Sequence, residues 1–191
     1  MRSAVLLAIV VTMPYCIAVS KLRRPFRSER YFFITVRLLR RRENLTEPDF
    51  LLLARAFDRA RALHSFSLIA WVFLPDHWHD ICAPVYPVTI SLAMKSVKTS
   101  STMAINARRA ASGELWQPRF FDRALRTIDE YNEKIEYIHM NPVRAGLVAH
   151  PQQWRWSSVH EYSGVSAEEV KQRGGVIIDR VRMPSDPKTR I

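Results

Sequence analysis

The sequence predicts an α+β fold, a sandwich in which helices cover an antiparallel sheet. Short runs rich in β-branched and aromatic residues alternate with longer runs whose apolar residues recur at helical spacing. Their order is strand, helix, strand, strand, helix, strand, helix. The first six elements match a ferredoxin-like sandwich, which leaves the last helix as an additional C-terminal element. With 191 residues, of which 48% are hydrophobic, the chain is long enough for one domain with a core.

Four segments have the composition of strands. The run at 31–39 is rich in β-formers, and the run at 66–74 is apolar at successive positions, which is typical of a central strand. The dipeptide at 75–76 turns the chain into a third strand at 77–83. We expect a short strand or extended segment at 115–121.

Three segments have the pattern of helices. Thr46 is a suitable N-cap for a helix that ends near Leu63, and residues 89–109 form a second helix with several basic residues. Thr127 and Glu130 match a capping box, so we expect the third helix to begin there and to run to about residue 141. Pro142 and Gly146 follow, as is typical of a helix end.

Domain boundaries follow from composition. We assign an apolar and basic segment to 1–25, a folded domain to 26–164, and a loose tail rich in Gly, Pro and charge to 165–191. The first segment resembles a signal peptide, with 18–20 as a loose cleavage site, but it is short for a membrane span and contains Pro14. We favour a third interpretation, a translation start further downstream, and a cytoplasmic protein.

The chain is strongly basic. It has 29 Lys and Arg against 18 Asp and Glu, a net charge of +11. Such a charge favours a polyanionic partner, first nucleic acid and then an anionic membrane, over a merely solvated basic surface. The two cysteines, Cys16 and Cys82, give neither a disulfide framework nor a metal cluster.

Two short motifs carry the candidate chemistry. In the strand at 77–83, His77 and His79 point to one face about 7 Å apart, so that both can bind one metal ion. In the third helix Tyr137 and Asn141 lie one turn apart on a polar stripe that also includes Lys134. An asparagine oxygen suits Mg²⁺, and the histidines extend the choice to Mn²⁺. The alternative is that Tyr137 packs at the core edge and Asn141 only ends the helix.

The two motifs belong to a set of five conspicuous sequence blocks, and the order of these blocks along the chain is as informative as the blocks themselves. The blocks are YFFITV (31–36), LPDHWH (74–79), WQPRFF (116–121), YIHMNPVRAGLV (137–148) and WRWSS (154–158). With them the chain resembles the single-tyrosine HUH transposases of insertion sequences, and among these most closely the REP-associated tyrosine transposases. The resemblance covers about residues 26–164.

The resemblance implies a mechanism. In that family two histidines and an asparagine bind a divalent metal, Mg²⁺ or Mn²⁺. The corresponding residues here are His77, His79 and Asn141. Tyr137 corresponds to the nucleophile that forms a 5′-phosphotyrosine link with single-stranded, hairpin-forming DNA. Tyr131 is the rival tyrosine, but it lies on the predicted core face. No small-molecule substrate is expected, and the chain would act as a monomer or a homodimer.

Further basic residues are candidate DNA contacts. Arg40, Arg41 and Arg42 are candidates for a hairpin stem, and Arg119 and Arg123 for phosphates; Lys134 is a further candidate DNA contact. For Arg119 and Arg123 the alternative interpretation is a solvated surface side chain.

Asp80 departs from the resemblance, because the family usually has a small or apolar residue there. It points away from the histidines, and a carboxylate on the packed side destabilises the fold unless it is paired. It leaves room for a second hypothesis, a hairpin-binding protein of the same fold without catalysis. An exported basic protein and an RNA-binding protein are two further alternatives.

Overall fold

The computed structural model describes residues 30–179, so the predictions for 1–25, including Cys16, and for the end of the tail lie outside the described residues. The elements are β1 (Phe32–Arg37), α1 (Glu47–Leu63), β2 (Phe66–Phe73), β3 (His77–Pro84), α2 (Ile90–Arg108), β4 (Phe121–Ala124), α3 (Ile128–Arg144), α4 (Val159–Tyr162) and α5 (Ala167–Gln172). Of the helices in this range, none is both long enough and apolar enough to span a membrane.

The four strands form one antiparallel sheet in the order β2-β3-β1-β4. This order, with α1 between β1 and β2 and α2 between β3 and β4, is that of a ferredoxin-like sandwich. The predicted α+β fold class is therefore confirmed, and α3 is the additional helix. Because β1 is central, it pairs with β3 on one side and with the short edge strand β4 on the other.

The two faces of the sheet pack against different helices. Ile34 and Trp78 belong to the larger core, which the sheet forms with α1 and α2. Phe33 and Ile81 belong to a smaller core, which includes Tyr131 and Ile138 of α3. Since side chains alternate along a strand, His77 and His79 lie on the α3 face with Ile81, and Asp80 lies on the α1–α2 face with Trp78.

The fourth strand begins later than predicted. The predicted segment 115–121 contributes only an isolated bridge between Leu38 and Trp116, which extends the end of β1, and the regular strand is Phe121–Ala124. Pro118 separates the two because it has no N–H to donate to a ladder. The segment is thus extended, but it reaches the sheet at two separate places.

The third helix runs past its predicted end. Pro142 lies inside α3, which continues to Arg144 and ends before Gly146, whose φ of 68° is left-handed. A single proline near the end of a helix removes only one hydrogen bond, so the last turn persists. At the start, the Thr127 hydroxyl accepts from Glu130 N as predicted, whereas the Glu130 carboxylate accepts from Arg126 N.

The tail was predicted to be loose from residue 165, but its described part is packed. It contains α5, and the fully buried Val176 accepts a hydrogen bond from Trp71 Nε1 through its carbonyl oxygen. Asp179 then binds the backbone of Leu68 in β2. The sequence gives no local sign of these contacts, because the partners lie more than a hundred residues away along the chain.

A candidate active site on the open face of the sheet

The two histidines of β3 are spaced to share one ion. Their Nε2 atoms lie 3.1 Å apart. Two nitrogen ligands that are each about 2.1 Å from one metal ion, at nearly a right angle, are separated by about 3 Å. The pair therefore has a separation that fits two ligands of one divalent ion, and without the ion the same distance fits a hydrogen bond between the two rings.

Each histidine is held in place through its other ring nitrogen. His77 Nδ1 donates to Asp76 Oδ1 at 2.6 Å, and His79 Nδ1 lies 2.8 Å from Thr35 Oγ1. A carboxylate can only accept, so the proton of this bond is on His77 Nδ1. Bonds of this kind are usual for metal-binding histidines, because they fix the ring and direct Nε2 toward the ion.

His79 is neutral at physiological pH. It is almost fully buried. Burial above all, and next the positive charge that His77 carries when protonated, lower the pKa of His79 to about 3. A neutral imidazole has a free lone pair, which is the form that binds a metal ion.

Tyr137 lies against the histidines. Its ring centroid is 5.4 Å from that of His79 and 5.7 Å from that of Phe33, both edge to face. Two cations flank the same ring, with Lys134 Nζ at 5.6 Å and Arg144 Cζ at 5.1 Å from its centroid. The tyrosine is thus partly exposed on a basic surface and beside the histidine pair.

The direction of α3 brings Asn141 toward the same pair. Tyr131 contacts Tyr31 at the start of β1, and Tyr137, further along the helix, contacts Phe33. The helix therefore runs in the direction of β1. Its next turn, with Asn141, extends toward the residues of β1 that pair with His79 and then with His77.

Asn141 has the properties of a third ligand. It is buried, and within residues 30–179 its side-chain amide has no hydrogen-bond partner. In the same range, no three side chains of His, Cys, Asp or Glu lie close enough together to hold a metal ion. An amide oxygen is a ligand that Mg²⁺ and Mn²⁺ accept. His77, His79 and Asn141 thus offer two imidazole nitrogens and one amide oxygen, a set of donor atoms that suits the predicted Mg²⁺ or Mn²⁺.

The rival tyrosine is a core residue. Tyr131 is buried in the smaller core, as predicted, and its ring packs against Tyr31. Burial, more than any other cause, raises the pKa of Tyr131. A phenol of this kind is a poor nucleophile, so Tyr137 remains the candidate.

Asp80 lies on the other side of the sheet from the histidines. It is fully buried, and its Oδ2 accepts a hydrogen bond of 2.9 Å from Trp78 Nε1. Burial raises the pKa of Asp80 to about 7, against the lowering effect of that bond and of the neighbouring Cys82 thiol. Its departure from the family pattern therefore concerns the core and not the predicted metal site.

The three arginines after β1 have different environments. Arg40 and Arg41 are exposed, and no hydrogen bond or ion pair holds them to the rest of residues 30–179. Arg42 instead donates to the carbonyl oxygens of Ser112 and Glu114, which fixes the loop after α2. The first two are available to a partner, and the third already has a structural role.

The other three predicted DNA contacts also differ in their surroundings. Lys134 lies over Tyr137 and also 5.9 Å from the ring centroid of Phe33, so it is part of the site. Arg123 is half exposed and forms an ion pair with Glu130 at 2.7 Å. Arg119 is exposed, outside any strand or helix.

Three residues near the site were not predicted. Arg37 pairs with His77 in the sheet and lies 3.5 Å from Asp76 Oδ2, and Arg144 lies over Tyr137. Phe121 is 57% exposed, on the same sheet face. Alternation along the first strand could have placed Arg37 on the histidine face, whereas Phe121 depends on a register that the sequence does not reveal.

A comparison with known families identifies the chain. Residues 27–141 match the family model described as "Transposase IS200 like". The chain belongs to this family. The match includes the histidine pair, Tyr137 and Asn141, which are the residues that the geometry brings to one face.

Two relatives identify the branch of the family that this chain resembles. A REP-associated tyrosine transposase of Escherichia coli (strain K12) is 31% identical over 142 residues, which are 74% of this chain and 83% of the relative. A putative REP-associated tyrosine transposase of Haemophilus influenzae is 24% identical over 151 residues, 74% of this chain and 86% of the relative. The resemblance to REP-associated tyrosine transposases is therefore confirmed.

A solved structure supports the same fold. It is a REP-associated tyrosine transposase bound to a REP hairpin, and it is 27% identical to this chain. The superposition has a TM-score of 0.68 and covers 91% of this chain and 99% of the other. The agreement extends beyond the sheet and its helices to most of the described residues.

Proposed function

We propose that the chain cleaves and rejoins single-stranded, hairpin-forming DNA, with Tyr137 as the nucleophile. The observation that carries this proposal is the position of the Tyr137 ring against His79, whose neighbour His77 has its Nε2 atom 3.1 Å away. Attack by the phenol oxygen on a backbone phosphate breaks the bond to the 3′ oxygen. It leaves a 5′-phosphotyrosine and a free 3′-hydroxyl, so the bond can be reformed without ATP.

His77, His79 and Asn141 would hold the divalent metal of this site. A bound Mg²⁺ or Mn²⁺ supplies Lewis acidity toward a phosphate oxygen. The chain itself orients the two imidazoles through Asp76 and Thr35. These outer bonds keep both Nε2 atoms directed to one point before any substrate arrives.

Basic side chains around Tyr137 would bind the phosphate. Lys134 and Arg144 lie within 6 Å of its ring centroid, and Arg37 lies on the same sheet face beside His77. Positive charge beside the attacked phosphate stabilises the negative charge that develops during transfer. The family relatives and the solved hairpin complex support DNA, rather than RNA, as the polymer.

The test is covalent trapping of labelled DNA. A REP hairpin with single-stranded extensions is incubated with Mn²⁺ or Mg²⁺, and the products are separated on a denaturing gel. We expect a protein–DNA adduct that requires the metal and that Tyr137→Phe abolishes. Tyr86→Phe is the matched control, because Tyr86 is an exposed tyrosine beyond the far end of β3.

Two outcomes contradict the proposal. An adduct that persists in Tyr137→Phe means that another residue is the nucleophile. Tight hairpin binding without an adduct, with either metal, supports the alternative of a hairpin-binding protein without catalysis.

A further inference from the structure

The face of the sheet that carries the histidines extends to an exposed aromatic residue on β4. Thr35 of β1 pairs with His79 on one side and with Phe121 on the other. Residues that pair directly in an antiparallel sheet have their side chains on the same face. Because neighbouring strands are about 4.8 Å apart, Phe121 and His79 lie roughly 10 Å from each other across Thr35.

Phe121 is unusual among the exposed apolar residues. Single exposed hydrophobic side chains are common and need no explanation by themselves. Of the large ones at residues 30–179, however, Phe121 is the only one within a strand, and 57% of it is exposed. An exposed aromatic ring on an edge strand favours unwanted strand pairing, so its presence beside the site is informative.

A chain of ring contacts connects Phe121 to the nucleophile. Its ring centroid is 6.4 Å from that of Phe33, and the Phe33 ring contacts both Tyr137 and His79. Phe33 itself is buried under α3, whereas Phe121 at the β4 edge of this face stays exposed. Phe121 is therefore the exposed end of a ring-to-ring contact that leads through Phe33 to Tyr137.

Cations lie beside these aromatic rings. Arg123 lies two residues along β4 on the same face, with half of its side chain exposed, and Lys134 Nζ is 5.9 Å from the centroid of Phe33. Aromatic side chains between basic ones are typical of single-strand binding, because bases stack on the rings while phosphates meet the cations.

We propose that Phe121 stacks on an unpaired base next to the scissile phosphate and so positions the single strand at Tyr137. The inference rests on the proposed function, since it takes single-stranded DNA on this face as the substrate. It assigns to Phe121 a positioning role and no part in the chemical step. Stacking tolerates any base, so this contact selects unpaired nucleotides over a duplex without specifying the sequence.

The experiment compares two REP hairpin oligonucleotides, one with single-stranded extensions and one without. Binding is measured by fluorescence anisotropy in the Tyr137→Phe background, which prevents cleavage and keeps the ring beside Phe33. We expect Phe121→Ala to weaken binding of the extended hairpin roughly five- to 150-fold, as the loss of one stacked base predicts. Binding of the hairpin without extensions should not change, and Phe121→Trp should retain the affinity.

An abasic scan of the extension identifies the stacked base. At one position next to the cleavage site, removal of the base should weaken binding as much as Phe121→Ala does. The two changes together should cost no more than either alone, since each removes the same contact. Tyr86→Ala, which truncates another exposed aromatic residue away from the site, should have no effect.

The inference fails if Phe121→Ala changes the binding of both oligonucleotides equally, changes neither, or acts additively at every abasic position. It also fails if the chain does not prefer the extended hairpin. A thermal melt of each variant shows whether a loss of binding reflects a loss of folding. If Phe121→Ala does not fold, the affinity of Phe121→Trp tests the inference instead, since this variant keeps an aromatic ring. If Phe121→Ala binds with unchanged affinity while the native chain still forms the adduct, the proposed function stands and the stacking contact is wrong. If Phe121 stacks but no adduct forms, the stacking contact stands and the proposed function is wrong.

Discussion

The carboxylate of Asp76 accepts a hydrogen bond of 2.6 Å from Nδ1 of the adjacent His77. This bond, above all, holds the pKa of Asp76 below its usual value, against the opposite effect of burial. Arg37 lies 3.5 Å from the other carboxylate oxygen. Asp76 is therefore ionised at neutral pH, and it keeps a proton on Nδ1 of His77 so that Nε2 remains free for a metal ion.

The first prediction concerns metal affinity. Asp76→Ala should weaken Mn²⁺ binding about 10- to 100-fold, because His77 loses the partner that fixes its ring and tautomer. Isothermal titration calorimetry without DNA measures this directly. Asp129→Ala, which removes an exposed carboxylate in the first turn of α3, is the matched control. An unchanged Mn²⁺ affinity in Asp76→Ala would contradict the orienting role.

The second prediction concerns a buried carboxylate between α1 and α2. Asp49 is fully buried and binds Arg108 and Arg109, each at 2.6 Å. Burial alone would raise its pKa, but the hydrogen bonds from Arg109, Thr46 and Arg108 outweigh this and lower it to about 2. Asp49→Asn should reduce the free energy of unfolding at pH 7 by about 3 kcal/mol, because it removes the negative charge that both arginines contact.

The pH dependence of this variant follows from the sign of the shift. A carboxyl with a lowered pKa stabilises the fold above its unfolded pKa of about 3.9 and loses that effect as the pH falls toward 2. The difference between the native chain and Asp49→Asn, in urea denaturation, should therefore shrink from pH 5 to pH 2. A difference that stays constant over this range would mean that the charge of Asp49 does not contribute.

The sequence predicted the local elements better than their pairing. Thr46 as N-cap gave the start of α1 correctly, and Leu63 its end, because caps and helical periodicity are encoded in neighbouring residues. For the run at 115–121 the composition does not reveal the pairing, since its two ends join β1 at separate places. Local composition cannot distinguish one long contact from two short ones.

The same limit applies to the site. His77, His79 and Tyr137 were found from their spacing, and the structure brings them together. Thr35 and Phe121 were not, because their proximity to the site arises from the register of β1 with its two neighbours. Such a residue joins the site because of the register in which two strands pair, and a single sequence does not show which strands pair or in which register.

The third prediction concerns Asp80, whose pKa is shifted upward, whereas that of Asp49 is shifted downward. A buried carboxyl with a folded pKa of about 7 destabilises the fold increasingly as the pH rises from about 4 to about 7, by about 1.4 kcal/mol per pH unit. Asp80→Asn keeps an acceptor for Trp78 and removes the charge. Its unfolding free energy should exceed that of the native chain at pH 8 and approach it at pH 5.

Guanidinium denaturation at the two pH values measures this, with Asp129→Asn as the exposed control. Asp80→Leu removes the acceptor as well, so it should stabilise less than Asp80→Asn, since the buried indole N–H is left unpaired. Mn²⁺ affinity should be the same in all three variants, because Asp80 faces away from His77 and His79. A large change in that affinity would place Asp80 in the site after all.

The last prediction concerns the tail, which Asp179 attaches to the edge strand β2. Its carboxylate accepts from Leu68 N at 2.8 Å and from Arg61 Nη2 at 2.6 Å, and its own N–H donates to Leu68 O. Asp179→Ala should lower the free energy of unfolding by about 1–3 kcal/mol, because it leaves the backbone N–H of Leu68 and the Arg61 guanidinium without this acceptor.

Thermal unfolding of Asp179→Ala, with Glu168→Ala in the exposed face of α5 as the control, tests this attachment. Hydrogen exchange at the amide of Leu68 gives a local measurement, because that amide donates to the Asp179 carboxylate. Faster exchange there, with little change in α3, would show that residues after α5 protect the free edge of the sheet. Unchanged exchange and stability would support the loose tail that the composition predicts.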